Sequence, residues 1–504
     1  MDSKLLKKIN LLKKKNKKIV LCHGVFDLVH LGHIEHLKSA KKYGDFLVVS
    51  ITADKFVKKG IGQPLFSHFQ RKEFLKSLKI VDDVIISNEP SAVESIKYIK
   101  PDYYVKGPDY KDNSKDKTKK IFKEKKILKE VGGQIKYTSD QIFSSSSLIN
   151  EAGMILNNEQ RNFVTNLKKS ISYNDIMIQL KKLKNLNAIV FGELIFDEYI
   201  FGDIVGKSAK EPHLVMDRSH VERYIGGSGA IVRHIQSFIN KVKIISFFGG
   251  ETYNLNLIKK YFQKNVKINF FKPSSKFQTI TKTRFIDIVS GYKVFGSYIL
   301  TKNFISKILN KYLIKYFKDI RKYNLVIICD YGHHLITDKI LKKIYSAKKN
   351  FISINSQINS SNIGFQNLDK YNDIDALFIN EGELRFHVRD TISSIEQIGK
   401  KFSKNKKIKN LIITRGKNGA IMICQKGNKF EVIKCPAFAK SAVDKVGAGD
   451  AMLSITSICL AKKFDKNLAL FLGSLAGAIS VSNYGNKDCV SHESLERLVE
   501  YSLK

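Results

Sequence analysis

Two stretches of the sequence gather residue types that handle phosphate. The first runs Cys22-His23-Gly24-Val25-Phe26-Asp27-Leu28-Val29-His30-Leu31-Gly32-His33, where an apolar run ends in glycine and two imidazoles stand at the opening of a helical pattern. A helix N-terminus at the carboxyl edge of a parallel sheet offers unpaired backbone N–H groups and partial positive charge, which suit a nucleotide's phosphates. Gly24 and Gly32 let backbone approach a ligand, and His30 and His33 project imidazoles beside it. The second stretch, Asp444-Lys445-Val446-Gly447-Ala448-Gly449-Asp450-Ala451, precedes a long apolar helix. Gly447, Ala448 and Gly449 predict an anion-binding turn there, with Asp450 in the first helical turn. A carboxylate so placed faces a phosphoryl group in transit and can take the hydroxyl proton of an incoming alcohol.

These residues need a scaffold that delivers strand ends to helix starts, and the pattern around them supplies it. From Ile19 the runs IVLC, FLVVSIT, VDDVIIS, PDYYVKG and GGQIKYT alternate with amphipathic helical segments, the sign of a parallel sheet covered by helices. A polar stretch of helical spacing without glycine or proline follows. A second series then begins at AIVFGELIFDEYIFGD and continues through VKIISFFGG, LVIICDYG, FISINSQ, ALFINEGE, NLIITRG and GAIMIC, ending in two apolar helices. The expected architecture is α/β throughout: a domain over 1–152, a helical linker over 153–186 and a larger domain over 187–504.

Length and composition agree with two substantial cores, since 504 residues exceed one ordinary core and 43% are hydrophobic. The excess of Lys+Arg, 87 against 47 Asp+Glu, gives a formal charge of +40. The basic residues are mostly Lys, spread along the chain among Asn and Ile, which is the signature of a solvated surface rather than of a specific nucleic-acid partner. Anionic substrates would be drawn to such a surface. The six cysteines show no paired spacing and read as reduced thiols of a cytoplasmic protein. The basic N-terminus lacks an apolar signal region, and the run from Leu468 to Val481 is too short to span a bilayer, so no membrane partner is expected.

The first stretch resembles the signature of the cytidylyltransferase-like nucleotidyltransferases, which carry His-x-Gly-His on a Rossmann-like domain. The resemblance extends over residues 18 to 150 through Thr52-Ala53-Asp54, Arg71, Lys106-Gly107-Pro108-Asp109-Tyr110 and Phe143-Ser144-Ser145-Ser146-Ser147-Leu148. It implies that His30 and His33 stabilise the α-phosphate as an acceptor phosphate displaces pyrophosphate, usually with Mg2+. It also implies that Gly24, Phe26, Asp27, Gly32, Arg71, Lys106, Asp109, Ser144, Ser145 and Ser146 bind the nucleotide and its phosphates. An acceptor phosphate is itself a nucleophile, so positioning and charge neutralisation can supply most of the acceleration.

The second stretch resembles the C-terminal signature of the ribokinase, or PfkB, family. The match runs over residues 188 to 485 through Gly192-Glu193, Asp197, Gly226-Gly227, Asp330-Tyr331-Gly332, Asn380 with Glu383, and Thr414-Arg415-Gly416. It implies that Asp450 is the base and the backbone of Gly447, Ala448 and Gly449 the anion hole. It further implies that Asn380, Glu383, Thr414 and Gly416 serve ATP and its phosphates, with Glu383 meeting Mg2+ through water, and that Asp197, Gly226 and Gly227 line a sugar pocket. The sequence departs from the family pattern at Lys445, at Gly229-Ala230 and at His333.

Together the two resemblances point to sugar activation: phosphorylation of a sugar by ATP, then coupling of a sugar 1-phosphate to a nucleoside monophosphate. GELIFDEYIFGDI, TITKTRFI and VKGPDY resemble segments of the bifunctional heptose kinase and heptose 1-phosphate adenylyltransferase family, with the domain order expected to be reversed. The first site is expected to take ATP or CTP, a choice that these motifs do not encode, and the protein to form a homo-oligomer. Two other readings remain open: an alcohol-phosphate cytidylyltransferase joined to a different kinase, and a binding protein with a decayed kinase domain.

Overall fold

The computed structural model describes residues 3–57, 64–107, 120–138, 156–250, 252–274, 276–300, 313–346, 350–359, 362–364, 366–439 and 443–503. The chain divides into two compact units, Met1–Asn157 and Asn158–Leu503.

In the first unit, strands β1 (Ile19–Gly24), β2 (Phe46–Thr52), β3 (Asp83–Ser87), β4 (Tyr103–Lys106) and β5 (Gln134–Tyr137) form a parallel sheet in the order β3-β2-β1-β4-β5. Every residue of β2 is buried, as a strand covered on both faces requires. The order reverses between β1 and β4, so the crevice where α/β sheets receive ligands lies past Gly24 and Lys106. The segment containing His30 and His33 is thus delivered to that crevice by topology.

In the second unit, β6 (Asn187–Gly192), β9 (Lys241–Phe247), β10 (Val266–Phe271), β13 (Leu325–Asp330), β14 (Phe351–Ser356), β15 (Ile374–Asn380), β16 (Ile408–Thr414), β17 (Ala420–Lys426) and β18 (Lys429–Cys435) form a sheet in the order β10-β9-β6-β13-β14-β15-β16-β17-β18. It is parallel up to β16, and β17 and β18 add antiparallel strands. The order reverses between β6 and β13, whose carboxyl ends are Gly192 and Asp330.

A separate four-stranded sheet, ordered β12-β11-β7-β8, is built from β7 (Leu194–Lys207), β8 (Leu214–Gly227), β11 (Ile280–Asp287) and β12 (Lys293–Ile299). The sequence does not announce it. LVMDRSHVERYIGG carries charges along a strand whose first half is largely solvent-exposed, so no hydrophobic alternation marks it.

Of the stretch expected to be a linker, 153–186, the residues from Asn158 onward belong to the second unit. Its helices, Asn158–Ser170 and Tyr173–Lys182, bury Val164, Leu167, Ile176 and Leu180. Phe163 lies 6.0 Å from Phe471, Gln160 Nε2 donates to the Ala437 carbonyl at 2.6 Å and the Tyr173 hydroxyl donates to Glu496 at 3.2 Å. An amphipathic helix with a docking surface in reach is stabilised by burying its apolar face, which a free connector would leave wet.

No helix among the described residues is long and apolar enough to cross a membrane.

Candidate functional site

In the first unit, β1 ends at Gly24, where a Cβ would come 3.0 Å from the Phe26 ring. Phe26 itself takes a left-handed backbone (φ 50°), which turns the chain toward the helix Leu31–Lys41. His30 precedes that helix in an extended conformation, and its backbone N–H donates to His33 Nδ1 at 3.4 Å. The two imidazole centroids are 4.0 Å apart, and the His33 ring lies 5.3 Å from that of Phe26. An Nδ1 that accepts a hydrogen bond leaves the neutral ring's proton on Nε2, the donor that phosphate chemistry needs. Gly32 falls in the first helical turn between the two histidines.

Three residues expected to bind nucleotide have protein partners. Arg71 is the most heavily engaged. It is 1% exposed, and its guanidinium donates to the carbonyls of Phe66 (3.0 Å), Val25 and Thr52 (2.8 Å) and to Asp54 Oδ1 (2.6 Å). With four of a guanidinium's five N–H donors engaged, Arg71 staples the loop after β1 to the end of β2 and has little left for a phosphate. Asp27 is buried, and its two carboxylate oxygens accept from the backbone of Leu65 (2.7 Å) and Phe66 (2.9 Å), so it anchors a loop. Lys106 is buried at the end of β4, with its ammonium 3.5 Å from Glu124. Asp109, Ser144, Ser145 and Ser146 lie outside the described residues.

In the second unit, Gly447 caps the helix Ala448–Ala461 with a left-handed backbone (φ 87°), where a Cβ would come within 2.3 Å of Asn486 Oδ1. Gly449 faces open space, as a backbone that approaches a ligand should. Asp450 Oδ1 accepts from the Tyr331 hydroxyl at 2.7 Å. Burial pushes the Asp450 carboxyl up to about 7, Asp197 adds to the rise, and the Tyr331 hydroxyl and the Lys282 ammonium oppose it. A base poised near neutrality suits general-base work.

The turn that presents Tyr331 is held by Glu193, whose buried carboxylate accepts from the backbone of Tyr331 (3.0 Å), His333 (3.3 Å) and Leu335 (3.3 Å). Burial and the neighbouring Asp330 push its own pKa up. Asp197 is buried between Arg284 (2.8 Å to Oδ1) and Asn486 (3.2 Å to Oδ2). A Cβ on Gly226 would come within 2.1 Å of Asp197 Oδ2, and one on Gly227 (φ 57°) within 2.3 Å of the Glu193 carbonyl, so both glycines are needed for this approach.

Asn380 and Glu383 form a reciprocal cap on the helix Glu381–Val388. Glu383 accepts from Asn380 N (3.0 Å) and Ile358 N (3.2 Å), Asn380 Oδ1 accepts from Gly382 N (2.9 Å), and Asn380 Nδ2 donates to the Thr414 carbonyl (3.2 Å). Burial pushes the Glu383 carboxyl up to about 7. Gly416, just past β16, has a left-handed backbone (φ 56°) facing open space. No group of three or more His, Cys, Asp or Glu able to cage a metal is present among the described residues.

Sequence reasoning missed Lys282, Arg284 and Asn486 and gave Tyr331 no role. TITKTRFI and Asp330-Tyr331-Gly332 stood out as segments, but only the fold brings their side chains to Asp197 and Asp450.

Residues 186–493 match the pfkB family carbohydrate kinase family, and residues 21–152 match the Cytidylyltransferase-like family. The "Bifunctional protein HldE" of Campylobacter jejuni subsp. doylei is 48% identical over 106 residues, 21% of this chain and 23% of that protein. The "FAD synthase" of Thermococcus sibiricus is 46% identical over 99 residues, 19% of this chain and 66% of that protein. The chain thus spans about a quarter of the length of the bifunctional relatives it matches, within its nucleotidyltransferase region. The matches show no reversal of domain order relative to those relatives, and that expectation is withdrawn. Among solved structures, phosphofructokinase-2 from Escherichia coli matches with TM-score 0.51 at 16% identity, covering 63% of this chain and 100% of that one. Ribokinase from Thermotoga maritima matches with TM-score 0.50 at 16% identity, covering 62% and 99%. At such identity these two show the fold alone.

Proposed function

The chain belongs to the pfkB family of carbohydrate kinases, and on that premise we propose a bifunctional sugar-activating enzyme. In this reading the larger domain transfers the γ-phosphoryl of ATP to a hydroxyl of a sugar or sugar phosphate of the heptose 7-phosphate kind. The smaller domain couples a sugar 1-phosphate to a nucleoside monophosphate drawn from a nucleoside triphosphate, and pyrophosphate leaves.

The observation that carries the kinase reading is Asp450, poised near neutrality at a glycine-capped helix start with Oδ1 held by Tyr331. Oδ2 is the oxygen to take the acceptor's proton as the acceptor oxygen bonds to the γ-phosphorus and ADP departs. Backbone N–H groups at Gly447, Ala448 and Gly449 meet the charge on the moving phosphoryl. Asp197, oriented by Arg284 and Asn486, holds acceptor hydroxyls. Mg2+, when bound, neutralises charge on the nucleotide's phosphates.

At the smaller site His33, with its proton on Nε2, and its neighbour His30 donate to the α-phosphate at a helix N-terminus, and the acceptor phosphate displaces pyrophosphate. The relatives named as bifunctional support a pairing of two activities, and the resemblance of GELIFDEYIFGDI and TITKTRFI to heptose enzymes supports the sugar. The test is pyrophosphate release with each nucleoside triphosphate and a panel of sugar 1-phosphates, beside ADP release with ATP and a panel of sugars. Turnover with ATP and heptose 1-phosphate is the expected result. Absence of both activities from a folded protein refutes the reading.

A further inference from the structure

Resting on the kinase reading above, we propose that Lys282 and His333 form an oxyanion-binding subsite in the acceptor pocket and select an acceptor that already carries a phosphate. Strand β11 runs parallel to β7 in a register that sets Lys282 beside Asp197, and antiparallel to β12 in one that sets it beside Tyr298. Residues paired across a sheet share a face, and so do residues two apart along a strand. Lys282 therefore shares the Asp197 face with Arg284.

The two cations on this face are used differently. Arg284 is engaged with Asp197, whose other oxygen accepts from Asn486. Lys282 is 9% exposed and donates no hydrogen bond to a described residue; its ammonium lies 5.9 Å from the centre of the Tyr298 ring. The carboxylates that act on it are committed elsewhere: Asp450 Oδ1 to Tyr331, both oxygens of Glu193 to backbone N–H groups, and Asp197 to Arg284 and Asn486. Burial pulls the Lys282 pKa below its usual value, Asp197 raises it and Arg284 lowers it.

His333 stands on the turn after β13, close enough to Lys282 for the ammonium's charge to act on it. Its Nε2 is buried without a hydrogen-bond partner among the described residues. A buried ammonium and a buried imidazole nitrogen without hydrogen-bond partners each carry a desolvation penalty that a ligand can offset. A phosphate supplies up to three charged acceptor oxygens to such a pair.

The transferred γ-phosphoryl is the other source of oxyanion, and the experiment separates the two. Kinetics of the full chain are measured with hexose and heptose phosphates and with the same sugars unphosphorylated, for wild type, Lys282→Met, Lys282→Arg and His333→Ala. Calorimetry without ATP measures binding of the same sugar phosphates and of inorganic phosphate, and thermal melting checks that each variant is folded. Wild type is expected to prefer the phosphorylated acceptors. Lys282→Met should raise their KM by about 10- to 100-fold, the range of a charge-assisted hydrogen bond, with the KM for ATP little changed and kcat little changed at alkaline pH, where Asp450 stays ionised without the Lys282 charge. His333→Ala should do the same more weakly, and Lys282→Arg should recover part of the loss.

Equal use of both acceptor forms by wild type, or a kcat loss common to both in Lys282→Met that persists at alkaline pH, overturns the proposal; the second result assigns Lys282 to the moving phosphoryl. If wild type turns over no acceptor, the kinase reading fails on its own. Calorimetry then decides: sugar-phosphate binding that weakens in Lys282→Met upholds the subsite, and binding that is absent or indifferent to Lys282 overturns it.

Discussion

Replacing Tyr331 by Phe removes the hydroxyl that donates to Asp450 Oδ1 at 2.7 Å and leaves the ring in its buried place. A hydrogen bond to a charged group contributes about 1.5–3 kcal/mol, and one pH unit of pKa corresponds to about 1.4 kcal/mol. The bond favours the ionised carboxylate, so its loss should raise the Asp450 pKa from about 7 by roughly one to two pH units. The base must be ionised to accept a proton. At pH 7 the wild-type carboxyl is about half ionised, and in Tyr331→Phe the ionised fraction falls to roughly 1–10%. The acid limb of kcat/KM, followed by coupled ADP release from about pH 5.5 to 9.5, reports this base in the free enzyme. The expected result is a limb displaced to higher pH, with a roughly 5- to 50-fold deficit at pH 7 that closes at the alkaline end. An unmoved limb, a limb displaced to lower pH or a deficit equal at every pH would refute the assignment of Asp450 as a base tuned by Tyr331.

Four further outcomes are expected. Asp450→Asn should abolish ADP release and leave pyrophosphate release intact, while His33→Ala should do the reverse; loss of both activities in either variant would count against independent sites. Because the Asp450 pKa is raised from 3.8 to about 7, the folded state loses stability as pH rises through about 7, so Asp450→Asn should melt above wild type near pH 8.5 and level with it near pH 4. Arg71→Ala should destabilise the first unit by about 1–3 kcal/mol, since it leaves three carbonyls and the partly exposed Asp54 without their partner; thermal unfolding that matches wild type, with only the nucleotide KM raised, would assign Arg71 to the nucleotide. Gly449→Ala should fold normally and weaken ATP binding, whereas Gly226→Ala, whose Cβ would sit 2.1 Å from Asp197 Oδ2, should raise the acceptor KM, both read from initial rates.

The alternation of buried strands with amphipathic helices was legible because each parallel strand is covered on both faces and so reads as an apolar run. FLVVSIT coincides with β2 residue for residue. The two helix-start segments were legible for a related reason: the unpaired backbone N–H groups at a helix start come from consecutive residues. His30, His33, Gly447 and Asp450 therefore carried their geometry in their spacing.

What the sequence left undecided depends on residues far apart in the chain. Arg71 reads as a cation available to phosphate until the fold surrounds it with the carbonyls of Val25, Thr52 and Phe66. The helices after Asn157 read as a connector until Phe438 and Phe471 give their apolar face a place to dock. Tyr331 lies 119 residues from the carboxylate it holds, and Lys282 comes to stand beside Asp197 only through the register of β11 with β7. The near-neutral pKa of Asp450 is likewise tertiary, because burial, its largest cause, comes from the surrounding protein and not from the residue's neighbours in the chain. Sequence determined which backbone could cradle phosphate; tertiary structure decided which side chains remain available to meet it, because hydrogen-bond partners and desolvation are set by whatever the fold brings alongside.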